Sequence, residues 1–238
     1  MNSNLSSDIW VIGFPKSGNT WISYLCSYCF NLPFINFGNP NESQKRSWVK
    51  ELTSGGNNWP ALAGYAAVQK THKNPDQIPF DAGLLIYAIR DPRDVFVSYH
   101  YFMKSSNAGL LGRLRYHLLG LFGKQKQIKW FLTKWEQHLN LWRDHSQLII
   151  CYDSLLAEGS EYLSELFSAD PFLVDKGIVE KAYEHFSFEK MSGGRKPGSE
   201  DKHSFFRKGV SGDWQNHFTA QEAGLFDESI KLYHSTVK

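Results

Sequence analysis

The chain has 238 residues, enough to bury one substantial α/β core, and we expect a single domain over residues 1–238. A hydrophobic fraction of 42% with 15% aromatic residues excludes a disordered chain, and a net charge of +2 gives no reason to expect a nucleic-acid partner. No apolar run reaches the roughly 18 residues of a membrane span, and residues 1–8 are no secretory signal, so we expect a cytoplasmic protein without stable membrane insertion.

The first strong pattern combines a short strand, a turn and the start of a helix. Residues 9–12 are β-branched or aromatic, the turn over residues 13–18 contains two glycines, and apolar residues at helical spacing follow. This arrangement directs the backbone N–H groups and the positive end of a helix towards an anion. Lys16 adds a cation, and Ser17 and Thr20 add hydroxyl donors, so the pattern predicts a phosphate-binding loop.

The order of residues in this loop separates it from the ATP-binding P-loop. A P-loop ends in Gly-Lys-Ser/Thr, whose hydroxyl binds Mg²⁺, whereas here Lys16 and Ser17 precede Gly18. An ordinary strand-to-helix turn with a surface lysine is the other interpretation of such a loop. Support for an anion site therefore has to come from the rest of the chain.

Along the rest of the chain, apolar strands alternate with helical segments. The predicted strands are residues 9–12, 65–71, 83–89 and 147–152, the helices after the first are residues 92–101, 128–145, 154–167, 173–186 and 221–234, and the predicted loops are residues 36–56, 105–127 and 191–206. This alternation predicts an α/β fold with a mainly parallel sheet flanked by helices on both faces, whose ligands bind beyond the carboxyl ends of the strands. Lys16, His72, Arg90 and Tyr152 all lie at or just past such ends.

A basic stretch without acidic residues lies between Asp94 and Glu136. Its seven lysines and arginines are interleaved with leucines. A solvated amphipathic helix or a lid explains this composition, and contact with a membrane surface or an anionic ligand is the alternative.

Three segments resemble the motifs of sulfotransferases that use 3′-phosphoadenosine-5′-phosphosulfate (PAPS). Residues 15–21, Pro-Lys-Ser-Gly-Asn-Thr-Trp, resemble the family's 5′-phosphosulfate loop, although Asn19 replaces a threonine. Arg90 and Ser98 match an arginine and a serine that bind the 3′-phosphate, and residues 207–214, Arg-Lys-Gly-Val-Ser-Gly-Asp-Trp, resemble the signature that closes the PAPS site. The resemblance implies a P-loop-NTPase-like sulfotransferase fold and a PAPS-dependent enzyme whose nucleotide product is 3′,5′-adenosine diphosphate (PAP).

The resemblance also implies roles for individual residues. His72 in Lys-Thr-His corresponds to the general base on the acceptor, Lys16 neutralises the leaving group, and Lys70 helps to hold the sulfonate oxygens. Phe14 and Phe102, together with His72, are the candidate acceptor-binding residues. The expected PAPS-binding residues are Lys16, Ser17, Gly18, Asn19, Thr20, Trp21, Arg90, Ser98, Tyr152, Phe188, Arg207, Lys208 and Gly209.

The expected partner is a small-molecule acceptor, an alcohol, phenol or amine whose identity the sequence does not reveal. No acidic or histidine cluster stands out beside the loop, so we expect no metal. In animal relatives a Lys-x-x-x-Thr-Val-x-x-x-Glu pattern mediates dimerisation; Gln215, Thr219, Ala220 and Gly224 match it only in part, and no oligomeric state is predicted. The alternatives are a P-loop kinase of a small metabolite and a nucleotide-binding module without catalysis.

Overall fold

The structure, a computed structural model, describes residues 7–37, 57–78, 83–105 and 108–237. Within these ranges one parallel sheet of five strands has the order β2-β3-β1-β4-β5. The strands are β1 (Ser7–Ile12), β2 (Phe34–Asn36), β3 (Tyr65–Thr71), β4 (Leu84–Ile89) and β5 (Leu148–Cys151).

Helices cover both faces of this sheet, which confirms the predicted fold class. The α-helices of the described residues are α1 (Asn19–Phe30), α2 (Pro92–Lys104), α3 (Leu110–Gly120), α4 (Lys124–Trp142), α5 (Tyr152–Glu158), α6 (Ser160–Ser168), α7 (Lys176–His185), α8 (Phe188–Met191), α9 (Ala220–Gly224) and α10 (Asp227–Thr236). Pro75–Gln77 and Asp213–Asn216 form short 3₁₀-helices.

The side chains of β1 alternate between two apolar cores, as the two-residue period of a strand requires. Ile9 and Val11 pack in the core that α1, α6 and α7 cover, whereas Trp10 and Ile12 pack in the core under α2, α4 and α10. All four side chains are buried, and full burial of one such side chain stabilises the fold by about 1.5–3 kcal/mol. The central strand is therefore fixed from both faces.

The register of the sheet brings the segments after several strands to one edge. Ile12 at the end of β1 pairs with Thr71 on one side and with Tyr87 on the other, and Ile89 pairs with Cys151. Parallel strands with aligned carboxyl ends place the residues that follow them next to each other.

The prediction of a loop over residues 105–127 is wrong, because this segment contains α3 and the beginning of α4. The leucines of α3 do have helical spacing, but they face outwards between basic residues, so they do not resemble the core-facing stripe of an ordinary helix. The prediction also missed the short strand β2. Most of the predicted loop 36–56 lies outside the described residues.

Two helices predicted as continuous are interrupted. The helix predicted over residues 154–167 breaks at Gly159, whose φ of +69° no helix residue adopts, and this separates α5 from α6. The helix predicted over residues 221–234 breaks between α9 and α10. Thr219 caps α9 in a capping box with Glu222, a signature that the sequence Thr-Ala-Gln-Glu already carries.

Candidate active site

The carboxyl edge of the sheet opens into a cavity of about 770 Å³, which we call the loop cavity because Pro15, Lys16 and Gly18 form part of its wall. Ser17 and Phe14 do not line it; Ser17 is buried under the turn, where its N–H donates to the carbonyl of Phe14 at 3.1 Å. The predicted site residues that line the loop cavity are Lys16, Gly18, Asn19, Thr20, Trp21, Lys70, His72, Arg90, Ser98, Phe102, Tyr152, Phe188, Arg207, Lys208 and Gly209.

The backbone of the loop is left-handed at two positions. The φ angle is +76° at Lys16 and +95° at Gly18. A side chain at Gly18 would also collide with Tyr152, because its Cβ would lie 2.4 Å from a ring carbon. Among the described residues no side chain caps α1, so the first N–H groups of this helix, which lack partners within the helix, give the loop cavity a positive end.

His72 is oriented by the backbone of the loop. Its Nδ1 lies 2.7 Å from the carbonyl oxygen of Gly13, and only a protonated nitrogen can donate there. The neutral ring therefore leaves its lone pair on Nε2, as a general base requires. Burial among protein atoms, and then the positive charge of Lys70, lower the pKa of His72 to about 3, whereas the hydrogen bond to the carbonyl of Gly13 acts in the opposite direction.

One lysine belongs to the loop, and a second lysine reaches the loop from β3. Lys70, at the end of β3, is 7% exposed, and its Nζ donates to the hydroxyl of Thr20 at 3.2 Å. The Nζ of Lys16 lies 5.0 Å from the ring centre of Phe102 and 4.2 Å from that of Phe205. Both ammonium groups thus stand beside the same anion-binding backbone.

Arg90 is a buried cation that forms no salt bridge with the described residues, although the nearby charges of Asp94, Asp153 and Asp91 favour its protonated form. It is 8% exposed, its Nη2 donates to the carbonyl of Val210 at 2.9 Å, and its guanidinium lies 4.3 Å from the ring centre of Tyr152. Within the described part of the chain it forms no salt bridge, and its Nε has no hydrogen-bond partner. A buried cation of this kind beside a cavity is suited to an anionic ligand.

The carboxylates at the start of α2 are engaged elsewhere. Asp91 forms a salt bridge of 2.6 Å with Arg93. Asp94 accepts hydrogen bonds from the backbone N–H groups of Gly212 at 2.6 Å and Trp214 at 2.9 Å. Arg93 therefore forms the capping salt bridge at this helix. Asp94 anchors the C-terminal loop, residues 207–214.

The two adjacent cations of that loop contact a buried carboxylate that the sequence did not predict as a site residue. Arg207 and Lys208 contact Asp213 at 2.6 and 2.5 Å, and Arg207 also pairs with Glu200. Burial alone would raise the pKa of Asp213, but the hydrogen bonds from Lys208 and Arg207 outweigh it and hold the pKa well below its usual value. Both cations line the loop cavity with much of their charge already balanced.

Aromatic rings form the opposite wall of the loop cavity. The Nε1 of Trp21 donates to the carbonyl of Phe186 at 2.9 Å, and its ring lies 5.6 Å from Tyr152 and 5.7 Å from Tyr183. Phe188 packs so closely on the chain at Gly209 that a Cβ there would lie 2.2 Å from the ring. The prediction missed Tyr183, which sits in the ordinary apolar pattern of α7.

A second cavity of about 670 Å³ lies beside α4, and we call it the helix cavity. It shares Pro15 and His72 with the loop cavity, so His72 stands between the two. Of the candidate acceptor residues, Phe14 and His72 line the helix cavity, whereas Phe102 lines the loop cavity. The lining residues of the helix cavity are Phe14, Pro15, His72, Asn74, Tyr99, Trp130, Lys134, Gln137, His138, Asn140 and Leu141.

His138 carries an unsatisfied polar atom at this cavity. The residue is 6% exposed, and its Nδ1 lies 2.9 Å from the hydroxyl of Tyr87. Its Nε2 has no hydrogen-bond partner among the described residues. Burial lowers the pKa of His138 to about 4, and the nearby backbone of His72 offsets part of this effect. A buried neutral imidazole with one unpaired nitrogen is the distinctive polar feature of this wall.

Across residues 7–37, 57–78, 83–105 and 108–237, no three histidine, cysteine or acidic side chains are grouped as a metal site would need. In these ranges no helix combines the length and the apolar character needed to cross a bilayer. The three cysteines are buried thiols.

A family model described as the sulfotransferase domain matches residues 6–237 of the chain. The protein belongs to the sulfotransferase family. The predicted enzyme class is thereby confirmed, and the kinase alternative is not supported.

This sulfotransferase is similar to animal enzymes over nearly its whole length. Sulfotransferase 6B1 of Danio rerio is 25% identical over 252 residues, which cover 96% of this chain and 77% of the relative. Sulfotransferase 1B1 of Mus musculus is 27% identical over 252 residues, which cover 94% and 81%. The crystal structure of mouse sulfotransferase SULT7A1 complexed with PAP covers 94% of this chain and 82% of its own with 21% identity and a TM-score of 0.61. Retinol dehydratase in complex with androsterone and inactive cofactor PAP covers 94% and 79% with 18% identity and a TM-score of 0.58.

Asn19 gives this sulfotransferase a local feature that its loop motif does not predict. The Nδ2 of Asn19 donates to the carbonyl of Gly13 at 2.9 Å, and the same oxygen accepts the hydrogen bond from His72. The 3.3 Å approach of Nδ2 to the histidine Nδ1 is then a contact between two donors on one acceptor. Asn19 thus helps to fix the carbonyl that orients the imidazole.

Proposed function

We propose that the protein transfers the sulfonate group of PAPS to a hydroxyl or amine of a small molecule, with PAPS in the loop cavity and the acceptor in the helix cavity. The observation that carries this proposal is the position of His72, which borders both cavities and has its Nδ1 proton held by the loop backbone. Two solved structures with this fold are complexes with PAP, which supports the choice of donor.

The 5′-phosphosulfate binds at the loop and the start of α1 in this proposal. The uncapped N–H groups of α1, the hydroxyl of Thr20 and the ammonium groups of Lys16 and Lys70 supply donors from several directions. Ser17 acts through its place in the turn, because it is buried and does not line the loop cavity.

The 3′-phosphate binds at Arg90 and Ser98 and is closed in by residues 207–209. The unpaired Nε of Arg90 is the strongest support, because a buried donor without a hydrogen-bond partner is costly. Arg207 and Lys208 contribute less than free cations would, since Asp213 and Glu200 already pair with them. The adenine ring lies among Trp21, Tyr152 and Phe188 in this arrangement, as aromatic faces favour.

The transfer is an in-line displacement at sulfur. The acceptor oxygen or nitrogen forms a bond to sulfur while the bond from sulfur to the bridging phosphate oxygen breaks. The Nε2 of His72 takes the acceptor proton, Lys16 neutralises the charge that develops on the phosphate, and Lys70 holds sulfonate oxygens. Because the charge is spread over oxygens, positioned cations carry most of the acceleration, as in phosphoryl transfer.

The acceptor is an alcohol, phenol or amine with an apolar body. Phe14, Tyr99 and Trp130 give the helix cavity an apolar wall, to which His138 adds one buried polar side chain. A solved structure with this fold contains androsterone, an apolar molecule of this kind. The single domain and the cytoplasmic location stay predictions.

The test combines donor binding and turnover. Purified protein is titrated with PAP, AMP and ATP, with and without Mg²⁺, and incubated with labelled PAPS and a panel of alcohols, phenols and amines. We expect PAP to bind more tightly than AMP and ATP, and transfer to continue in EDTA, because side chains and backbone N–H groups supply the positive charge. Tighter binding of Mg·ATP than of PAP, or transfer that EDTA abolishes and Mg²⁺ restores, would contradict the proposal.

A further inference from the structure

An exposed apolar face runs along α3 and the turn after it. At 100° per residue its members fall within about one third of the helix circumference. More than half of each side chain is exposed: Leu110 (71%), Leu111 (64%), Leu114 (52%), Leu118 (59%), Leu121 (81%) and Phe122 (67%).

The opposite side of α3 is fixed to the protein. Tyr116 is 3% exposed, and its hydroxyl lies 2.8 Å from Nδ1 of His100 on α2. Its ring also contacts Tyr99 and Trp130, at centroid distances of 5.8 and 6.5 Å. The leucines are therefore held outwards by the fold.

Basic residues border this apolar face. By helical position Arg113 and Arg115 lie on its two sides, and Lys126 lies with its Nζ 5.1 Å from the ring centre of Phe122. No acidic residue occurs between Asp94 and Glu136 in the sequence. The flanking charge along the sequence is therefore basic, and the carboxylate that reaches this segment from α9 is Glu222, which pairs with Lys124 at 2.8 Å.

We propose that α3 and residues 121–126 bind the surface of an anionic lipid bilayer, with the leucines in the boundary between head groups and acyl chains. Basic side chains beside an apolar stripe can reach lipid phosphates while the stripe is buried, which is the arrangement of an interfacial helix. A second copy of this chain fits less well, because two such faces would bring like charges together. The helix lies on the bilayer in this proposal and does not cross it.

Docking would leave α3 between the helix cavity and the bilayer, a thickness of about 10 Å. Tyr99 and Trp130, which touch Tyr116, both line that cavity. An apolar acceptor dissolved in the bilayer would then have a short path to His72. This last step depends on the proposed function, whereas lipid binding itself does not.

The test is co-sedimentation of the full chain with vesicles of phosphatidylcholine alone or of phosphatidylcholine with phosphatidylserine. We expect binding to the anionic vesicles that weakens as salt rises. Leu118→Gln with Leu121→Gln should lower the partition coefficient by at least about tenfold. Arg115→Gln with Lys126→Gln should lower it by about tenfold or more on anionic vesicles only.

Matched controls separate this face from general stickiness. Leu173 is 71% exposed and Lys181 is exposed, and both lie far from α3 in the sequence. Leu173→Gln and Lys181→Gln should bind vesicles like wild type, and circular dichroism checks that all variants fold. Absence of binding to anionic vesicles, or an equal loss in the controls, overturns the proposal. Light scattering that shows a dimer, lost in Leu118→Gln with Leu121→Gln, together with no vesicle binding, overturns it in favour of self-association.

Discussion

The two cavities that meet at His72 are built in different ways. The loop cavity depends on backbone positions that do not accept a side chain. At Gly18 the φ is +95°, and a Cβ would collide with Tyr152. The helix cavity is lined by side chains of α2 and α4 that have no motif spacing. A donor with fixed charges needs a fixed cradle, whereas an acceptor site can change through single side chains.

The largest effect should come from the residue that both cavities share. We expect His72→Asn to lower the transfer rate by about 10²–10⁴, the usual value of a general base, while the affinity for PAP stays within about twofold of wild type. Turnover with a good acceptor and titration calorimetry with PAP measure the two quantities. His145→Asn, at an exposed position, is the matched control. Normal turnover of His72→Asn would remove the histidine from the mechanism.

The next largest effect should come from a substitution that changes the loop cavity and leaves the helix cavity intact. We expect Gly18→Ala to weaken PAP binding by about a hundredfold, because the new Cβ forces Tyr152 or the loop to move as well as straining the backbone. Gly198 has a nearly equal φ of +93° but open space around its Cβ position, so Gly198→Ala shares the strain without the collision. Similar PAP affinities for the two variants would show that the close packing on Tyr152 does not matter.

The sequence predicted the loop cavity far better than the helix cavity. Residues that follow strands, such as Lys16 and Arg90, could be placed because a parallel sheet brings strand ends together. Asp213 was missed because it meets Arg207 and Lys208 only where the loop between them turns back on itself, and a spacing of five and six residues has no helix or strand period. His138 was missed because a histidine in an apolar helix pattern resembles any core residue, and its unpaired nitrogen is visible only in three dimensions.

A smaller effect should separate the 3′-phosphate site from the rest of the loop cavity. We expect Arg90→Gln to weaken PAP binding by about 10–100-fold and to leave AMP binding nearly unchanged, because one charge-assisted interaction is worth about 1.5–3 kcal/mol. Arg93→Gln removes an equal charge three residues away, from a side chain that pairs with Asp91, and should keep the preference for PAP. Equal wild-type affinities for PAP and AMP would contradict the 3′-phosphate assignment.

The smallest effect concerns the helix cavity and acts through pH. The pKa of His138 is about 4 in the folded protein and about 6.5 when unfolded, so the unfolded chain binds the extra proton first as pH falls. This contribution to stability is complete above about pH 6.5 and is lost towards pH 4, and we expect a loss of about 1–2 kcal/mol between pH 7 and pH 5. The guanidinium groups of the loop cavity do not titrate in this range, so they do not contribute to this loss of stability. Urea unfolding of wild type and His138→Gln at both pH values measures it, because the variant should lose less stability on acidification whatever its stability at pH 7. Equal losses in the two proteins would show that His138 is open enough to water to titrate normally. The wall of the helix cavity would then lack a buried neutral imidazole.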